Sequence, residues 1–323
     1  MITPSDIENK QFSRTKKGYS PDEVDDLLYS LTQQAYKDFE VLVVEDGSTK
    51  PCRDVVVRYE REMNVRYFVI PNGGPSGARN YGAKESAGDY LLILDSDCVL
   101  PDTYLETIDR SLIQQPVDAF GGPDKSHESF TPIQKAISYS MTSFFTTGGI
   151  RGGKRKLDRF YPRSFNMGIR RDVFSSLNGF DTSMRYGEDV DFSMRIVKAG
   201  YQTMLIPEAY VYHKRRTSFP QFFRQVEHSG SARIILSKKY PGSMKLVHCL
   251  PALFVVGVVT LLLLGICCPL LYVALLLYVL LLFIDATIQN RNICIGMLSV
   301  VAAFTQLFGY GIGFIKEKTK SKN

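Results

Sequence analysis

From residue 246 to residue 315 the chain runs for seventy positions with two charged side chains, Asp285 and Arg291. The rest of the 323 residues carry nearly all of the 39 Lys and Arg and the 33 Asp and Glu. One aqueous environment cannot serve both parts, so the chain divides into a water-facing domain and an apolar region. About 20 consecutive apolar residues cross a bilayer core as a helix. Residues 247–268 supply 22 without Lys, Arg, Asp or Glu, Pro269 interrupts, and residues 270–284 supply 15 more. Residues 293–315 supply another 23. The expectation is two or three transmembrane helices over 247–315, a basic amphipathic linker over 231–246 and a basic tail over 316–323.

Charge and cysteine usage narrow the partners. Eight basic residues against one acid crowd 151–171, and Lys238-Lys239 follow nearer the apolar region. Such a surface suits anionic membrane lipids or a phosphate-bearing ligand. It has few interleaved aromatics and no nucleic-acid module, so nucleic acid is not an expected partner. The six cysteines show no CxxC pair, and their spacing supports neither a disulfide framework nor a zinc site. Residues 1–20 hold no apolar core of the signal-peptide kind. The domain is therefore expected at the cytoplasmic face of a cytoplasmic (inner) membrane, on a multi-pass anchor.

Along the domain, apolar runs alternate with helical patterns. Residues 21–36 place Val24, Leu27, Leu28 and Leu31 on one face behind Pro21 and two acids, a helix start. The wholly apolar run 41–44 ends in Glu45-Asp46-Gly47-Ser48 and reads as a buried strand. A helix over 52–63, a strand over 65–70, a loop over 72–77 and a helix from Ala78 follow. A second buried strand, 90–94, ends in Asp95-Ser96-Asp97. This alternation predicts the α/β class, with a doubly wound, mostly parallel sheet. Its ligands bind beyond the carboxyl ends of the strands.

The acids at those strand ends carry the chemistry. Asp95 and Asp97 are hard oxygen donors one residue apart, a pattern that suits Mg2+ or Mn2+ bridging a diphosphate. Asp46 can accept hydrogen bonds from a base or ribose. Gly187-Glu188-Asp189-Val190-Asp191 offers three carboxylates in five residues. Acids at a helix start also satisfy the helix dipole, and that reading stays open for Asp191. His213, after the apolar stretch 210–212, can complete a metal shell with the two Asp.

Residues 19–230 resemble a family 2 glycosyltransferase of the GT-A fold. The matching segments are FEVLVVEDGS (39–48), GPSGARNYGAKESAGDYLLILDSD (74–97), SFNMGIRRDVFSSLNGFD (164–181), YGEDVDFSMRIVKAGY (186–201) and VYHKRRTS (211–218). The resemblance implies an inverting transferase that uses a nucleotide-diphosphate sugar, UDP-linked as the first expectation, and a divalent metal. It implies Asp46 at the nucleoside, Arg79 and Asp95 at the donor's nucleotide and phosphates, and Asn166 and Arg170 lining the donor or acceptor pocket. It implies Asp189, or Glu188 beside it, as general base, and Asp97, Asp95 and His213 at the metal. Gln221-Phe222-Phe223-Arg224 is followed by Gln225 where processive members have Trp, and the chain has no Trp. Addition of a single sugar to a lipid-linked or cell-envelope glycan acceptor is therefore expected rather than polymer synthesis. Members also open on a buried apolar strand, and residues 1–18 are an atypical polar segment in its place. That departure motivates the alternative of a non-catalytic, nucleotide-binding scaffold at the membrane.

Overall fold

In the computed structural model the described residues are 21–147 and 160–320. The atypical segment 1–18, residues 151–159 of the basic run and residues 321–323 of the tail lie outside them. In chain order the elements are α1 (Pro21–Thr32), β1 (Val41–Asp46), α2 (Arg53–Val57), β2 (Val65–Ile70), α3 (Gly74–Glu85), β3 (Tyr90–Leu94), β4 (Cys98–Val99), α4 (Tyr104–Gln114), β5 (Ala119–Gly121) and β6 (Asp124–Lys125). Then come α5 (Pro132–Thr142), α6 (Phe144–Thr147), β7 (Asn166–Arg170), α7 (Arg171–Ser176), α8 (Glu188–Lys198), β8 (Thr203–Leu205), β9 (Val211–His213) and α9 (Phe219–Lys239). The apolar region forms α10 (Leu246–Gly265), a 3-10 turn at Pro269–Leu271, α11 (Tyr272–Asn290) and α12 (Ile293–Lys320).

The chain forms two compact units, and their described parts are residues 21–129 with 160–214, and residues 130–147 with 215–320. The first unit is α/β. Its strands make three ladders, β1–β2, β3–β7–β5–β8 and β4–β9–β6. Pairing is mixed. The β1–β2, β5–β8 and β6–β9 pairs are parallel, while β7 enters between β3 and β5 against both, and β4–β9 is also antiparallel. Helix α1 starts as its sequence requires, with Pro21 at the first turn beside Asp22 and Glu23, and it buries Val24, Leu28 and Leu31.

Two clusters hold this unit. One joins Leu28, Val56, Leu100, Tyr104, Phe120 and Val211. The other joins Met167 and Ile169 of β7 to Phe174, Phe180, Phe192 and Ile196. The rings of Phe174, Phe180 and Phe192 meet with centroids 4.7–5.8 Å apart. Edge-to-face contacts of this kind add to the burial of each ring. Because Phe192 and Ile196 lie on α8, this cluster clamps the helix whose first turn carries Glu188 and Asp189.

The second unit is helical. Helix α5 begins on a capping box, with the Thr131 side chain accepting from the Gln134 N–H and Gln134 answering at Thr131. Its Ile137 and Met141 bury against Phe222 and Val226 of α9 and Ala302 of α12. This burial explains why residues 130–147, expected inside one domain over 19–230, belong to the helical unit. Helices α9 and α12 meet backbone to backbone. A Cβ on Gly230 would stand 2.1 Å from the Tyr310 carbonyl oxygen, and one on Gly313 would stand 2.0 Å from that of Glu227. Small residues alone permit such a crossing. Residues 231–246, expected as a linker, are largely the second half of α9, whose Ala232, Ile234 and Leu236 are buried.

Helices α10, α11 and α12 are each long and apolar enough to cross a membrane. The first of them carries Pro251 within it and ends at Gly265, ahead of the 3-10 turn that Pro269 opens. Their outer faces stay exposed at Leu263, Ile288 and Met297. An apolar surface of that extent is stable against lipid rather than water. Asp285 of α11, the one acid between residues 246 and 315, accepts a 2.6 Å hydrogen bond from the Tyr139 hydroxyl of α5 and others from Gln289.

Candidate active site

The acidic ends of β1 and β3 and the first turn of α8 supply the site, all within the α/β unit. At the end of β1, the Asp46 carboxylate accepts the Gly73 N–H at 2.6 Å, and its backbone carbonyl accepts from Asn72 Nδ2 at 3.0 Å. Asp46 therefore braces the loop that leads into α3. Glu45 beside it is buried and accepts from the Cys52 N–H and the Tyr67 hydroxyl. Burial and the Glu45 carboxylate push the Tyr67 hydroxyl well up.

Arg79 on α3 is the central tie. Its guanidinium donates to Asp95 Oδ1 and to Glu188 Oε1, each at 2.9 Å, and lies over the Phe180 ring. Arg79 is 14% exposed, so both pairs are shielded from water. Burial works against its charge, and the two carboxylates more than restore it. One side chain thus joins the end of β3 to the start of α8, with Glu188 lying 109 residues beyond Arg79 in sequence.

The two acids of Asp95-Ser96-Asp97 do different work. Asp95 faces Arg79, whereas Asp97 faces His213, whose Nε2 lies 3.0 Å from Asp97 Oδ1. The His213 ring stacks on Phe165 with centroids 5.2 Å apart. The Lys214 N–H donates to the Asp97 carbonyl, and the Cys98 N–H closes the turn onto the Asp95 carbonyl. Ligand atoms of Asp97, Cys98 and His213 all lie within 4.8 Å of one another. A carboxylate and an imidazole in contact fit a divalent cation in the donor types they offer.

Helix α8 starts at Gly187, whose φ of 78° is a left-handed value that glycine adopts without strain. Asp189 Oδ2 accepts from Arg163 Nε at 2.7 Å, and its Oδ1 accepts the Val190 N–H at 2.8 Å. Burial pushes the Asp189 carboxyl up, but the Arg163 guanidinium, Arg79 and the Val190 N–H outweigh it and hold it below the usual carboxylate range. Asp191, two residues on, points the other way. It is fully buried and pairs with Arg195, whose other nitrogens donate to the carbonyls of Leu177 and Gly179. The question left open for Asp191 is answered by that pairing, which is structural.

Two expected residues do not offer their side chains to this mouth. Asn166 is 1% exposed, accepts from the Tyr104 hydroxyl and donates to the Ala209 carbonyl. Its hydrogen-bonding groups are spent inside the fold. Arg170 sits at the far end of β7, since Leu94 pairs with Asn166 whereas Tyr90 pairs with Arg170. Four strand residues separate the two ends by about 13 Å. Arg170 is exposed there and pairs with Asp172 and Asp118. Conversely, Arg163 and Cys98 join the site without having been singled out. Arg163 was one of eight positions in a basic run, and Cys98 lacked any metal spacing.

The description "Glycosyl transferase family 2" fits residues 18–177. An uncharacterized glycosyltransferase of Haemophilus influenzae is 31% identical over 186 residues, 54% of this chain and 58% of that one. The succinoglycan biosynthesis protein ExoA of Rhizobium meliloti is 24% identical over 57% of each. The chain thus spans less than two thirds of the length of these curated relatives. A solved mannosyltransferase from Pyrobaculum calidifontis, PcManGT in complex with GDP-Man and Mn2+, superposes with a TM-score of 0.60 at 17% identity, covering 91% of this chain and 85% of that one. That likeness is one of fold.

Proposed function

We propose, for a chain that carries a family 2 glycosyl transferase domain over residues 18–177, that it is an inverting transferase moving one sugar from a nucleotide-diphosphate sugar to a lipid-linked or cell-envelope glycan. The observation that supports this most is the Arg79 bridge, because it draws the Asp95–Asp97 loop and the Glu188–Asp189 turn to one place. Donor chemistry and acceptor chemistry need those two groups side by side. The GDP-Man and Mn2+ in complex with the Pyrobaculum calidifontis mannosyltransferase are in keeping with it.

Asp97 and His213, with Asp95 next to them, would hold a divalent ion, Mn2+ or Mg2+, which would offset charge on the diphosphate. The chain's own residues do the rest. Asp46 and the loop at Asn72 and Gly73 bound the nucleoside side. Arg79 keeps Asp95 and Glu188 in register. The acceptor hydroxyl oxygen attacks the anomeric carbon while Asp189 takes its proton, the bond to the diphosphate breaks, and the single displacement inverts the centre. Arg163 keeps Asp189 ionised in the resting site but weakens it as a base, so acceptor entry has to loosen that pair.

The depressed Asp189 value sets a pH test. The carboxylate is ionised above its lowered value and loses its charge only as pH falls through it. Arg163→Gln removes the largest lowering influence, so the acidic limb of the transfer rate should move to higher pH. A limb that stays in place, measured as nucleotide release against pH, would detach Arg163 from Asp189's role.

We infer that the domain lies at the cytoplasmic face of a multi-pass membrane anchor. Lys238, Lys239 and Lys245 just ahead of α10 support that side. The deciding experiment is equilibrium binding of UDP and of GDP to the detergent-solubilised chain, with and without Mn2+. Binding that requires Mn2+ and disappears in Asp97→Ala is expected. Failure of both nucleotides to bind would favour the scaffold reading.

A further inference from the structure

Strands β4 and β9 pair so that Cys98 stands directly across from His213. The Cys98 sulfur, an Asp97 carboxylate oxygen and a His213 ring nitrogen lie within 4.8 Å of one another. Cys98 has no exposed surface, and Asp97 is 7% exposed. The thiol donates to the Phe165 carbonyl at 3.5 Å, a normal length for sulfur. The ring of the same Phe165 covers His213. This corner is therefore enclosed and holds three different ligand chemistries.

We propose that Cys98 joins Asp97 and His213 as a thiolate ligand, so that the site that would take Mn2+ or Mg2+ binds a thiophilic divalent cation of the zinc class more tightly. This rests on the reading of Asp97 and His213 as the cation site. Donors about 2.0–2.3 Å from one zinc ion stand about 3.3–3.8 Å apart. Asp97 and His213 already approach to 3.0 Å, so it is the sulfur that would draw in, by at most about an ångström. On binding, the thiol proton leaves to water as the sulfur–metal bond forms, and no oxidation is involved. A thiolate shifts preference toward zinc and cobalt and away from Mg2+ and Mn2+, for which oxygen donors suffice. Three protein donors leave one tetrahedral position open to a ligand oxygen, the arrangement of catalytic rather than structural zinc sites. Sequence spacing could not signal it, because Cys98 and His213 meet only through the pairing of two short strands.

The test is titration of the metal-stripped, detergent-solubilised full chain with Co2+. A near-ultraviolet thiolate-to-cobalt charge-transfer band is expected together with visible tetrahedral bands. Cys98→Ser should lose the near-ultraviolet band, keep weaker cobalt binding and lose about tenfold or more of its preference for Zn2+ over Mn2+. Cobalt binding by the unaltered chain without the charge-transfer band would overturn the thiolate ligand and leave the Asp97–His213 site standing. No binding of Co2+ or Mn2+ would overturn both. A band that persists in Cys98→Ser would come from another cysteine, such as exposed Cys267 or Cys268, and would also overturn the proposal.

Discussion

Asp189→Asn should slow sugar transfer by about 100- to 10,000-fold, the range a positioned general base contributes, while nucleotide binding stays near its original strength. The amide has the shape of the carboxylate and can still accept the Val190 N–H at the start of α8. What it loses is the ability to take a proton. Asp189 also stands outside the Asp97, Cys98 and His213 cluster, so the cation site should be untouched. A turnover-specific loss is therefore expected, read as product formed in a single turnover with bound donor. If Asp189→Asn turned over normally and Glu188→Gln did not, the base would be Glu188, and the Arg79 contact would be part of its tuning.

Arg79→Met should cost stability on the scale of a broken buried ion pair, about 3–5 kcal/mol. The Met side chain fills much of the space over Phe180 but leaves two shielded carboxylates, Asp95 and Glu188, facing each other without a cation. Arg79→Lys should recover only part of the loss. One ammonium cannot reproduce a planar fork that reaches two acceptors in different directions. Thermal unfolding of the purified chain measures both. A variant with Arg79→Met and unchanged stability would mean that water or another cation reaches these acids, and the bridge would not be what holds the β3 end to α8.

Much of the α/β unit was legible along the chain. Strands β1 and β3 are unbroken apolar runs, and helix α1 carries its own start signal and a single apolar face. Runs and periods of this kind are local, so neighbouring residues suffice to specify them. The same holds for α10 and α12, where length and the lack of charge suffice, whereas the 15 apolar residues of 270–284 left the count at two or three. Roles were less legible. Asn166 and Arg170 belong to one short strand, yet one is locked inside and the other is exposed at the far end. Only the partner strand β3 distinguishes those ends. Asp189 and Asp191 share a helical turn, and the side on which Phe192 and Ile196 bury decides which one meets Arg195 in the core.

The sequence by itself determined the contrast between a charged part and the apolar stretch 246–315, the alternation of strands and helices, and the placing of acids just beyond strand ends. Each follows from composition or spacing within one turn or one strand. The tertiary structure alone decided which cation meets which acid: Arg79 between Asp95 and Glu188, Arg163 on Asp189, and His213 with Cys98 beside Asp97. Charge interactions act through space, and in a shielded site they outweigh any preference that neighbours along the chain can impose.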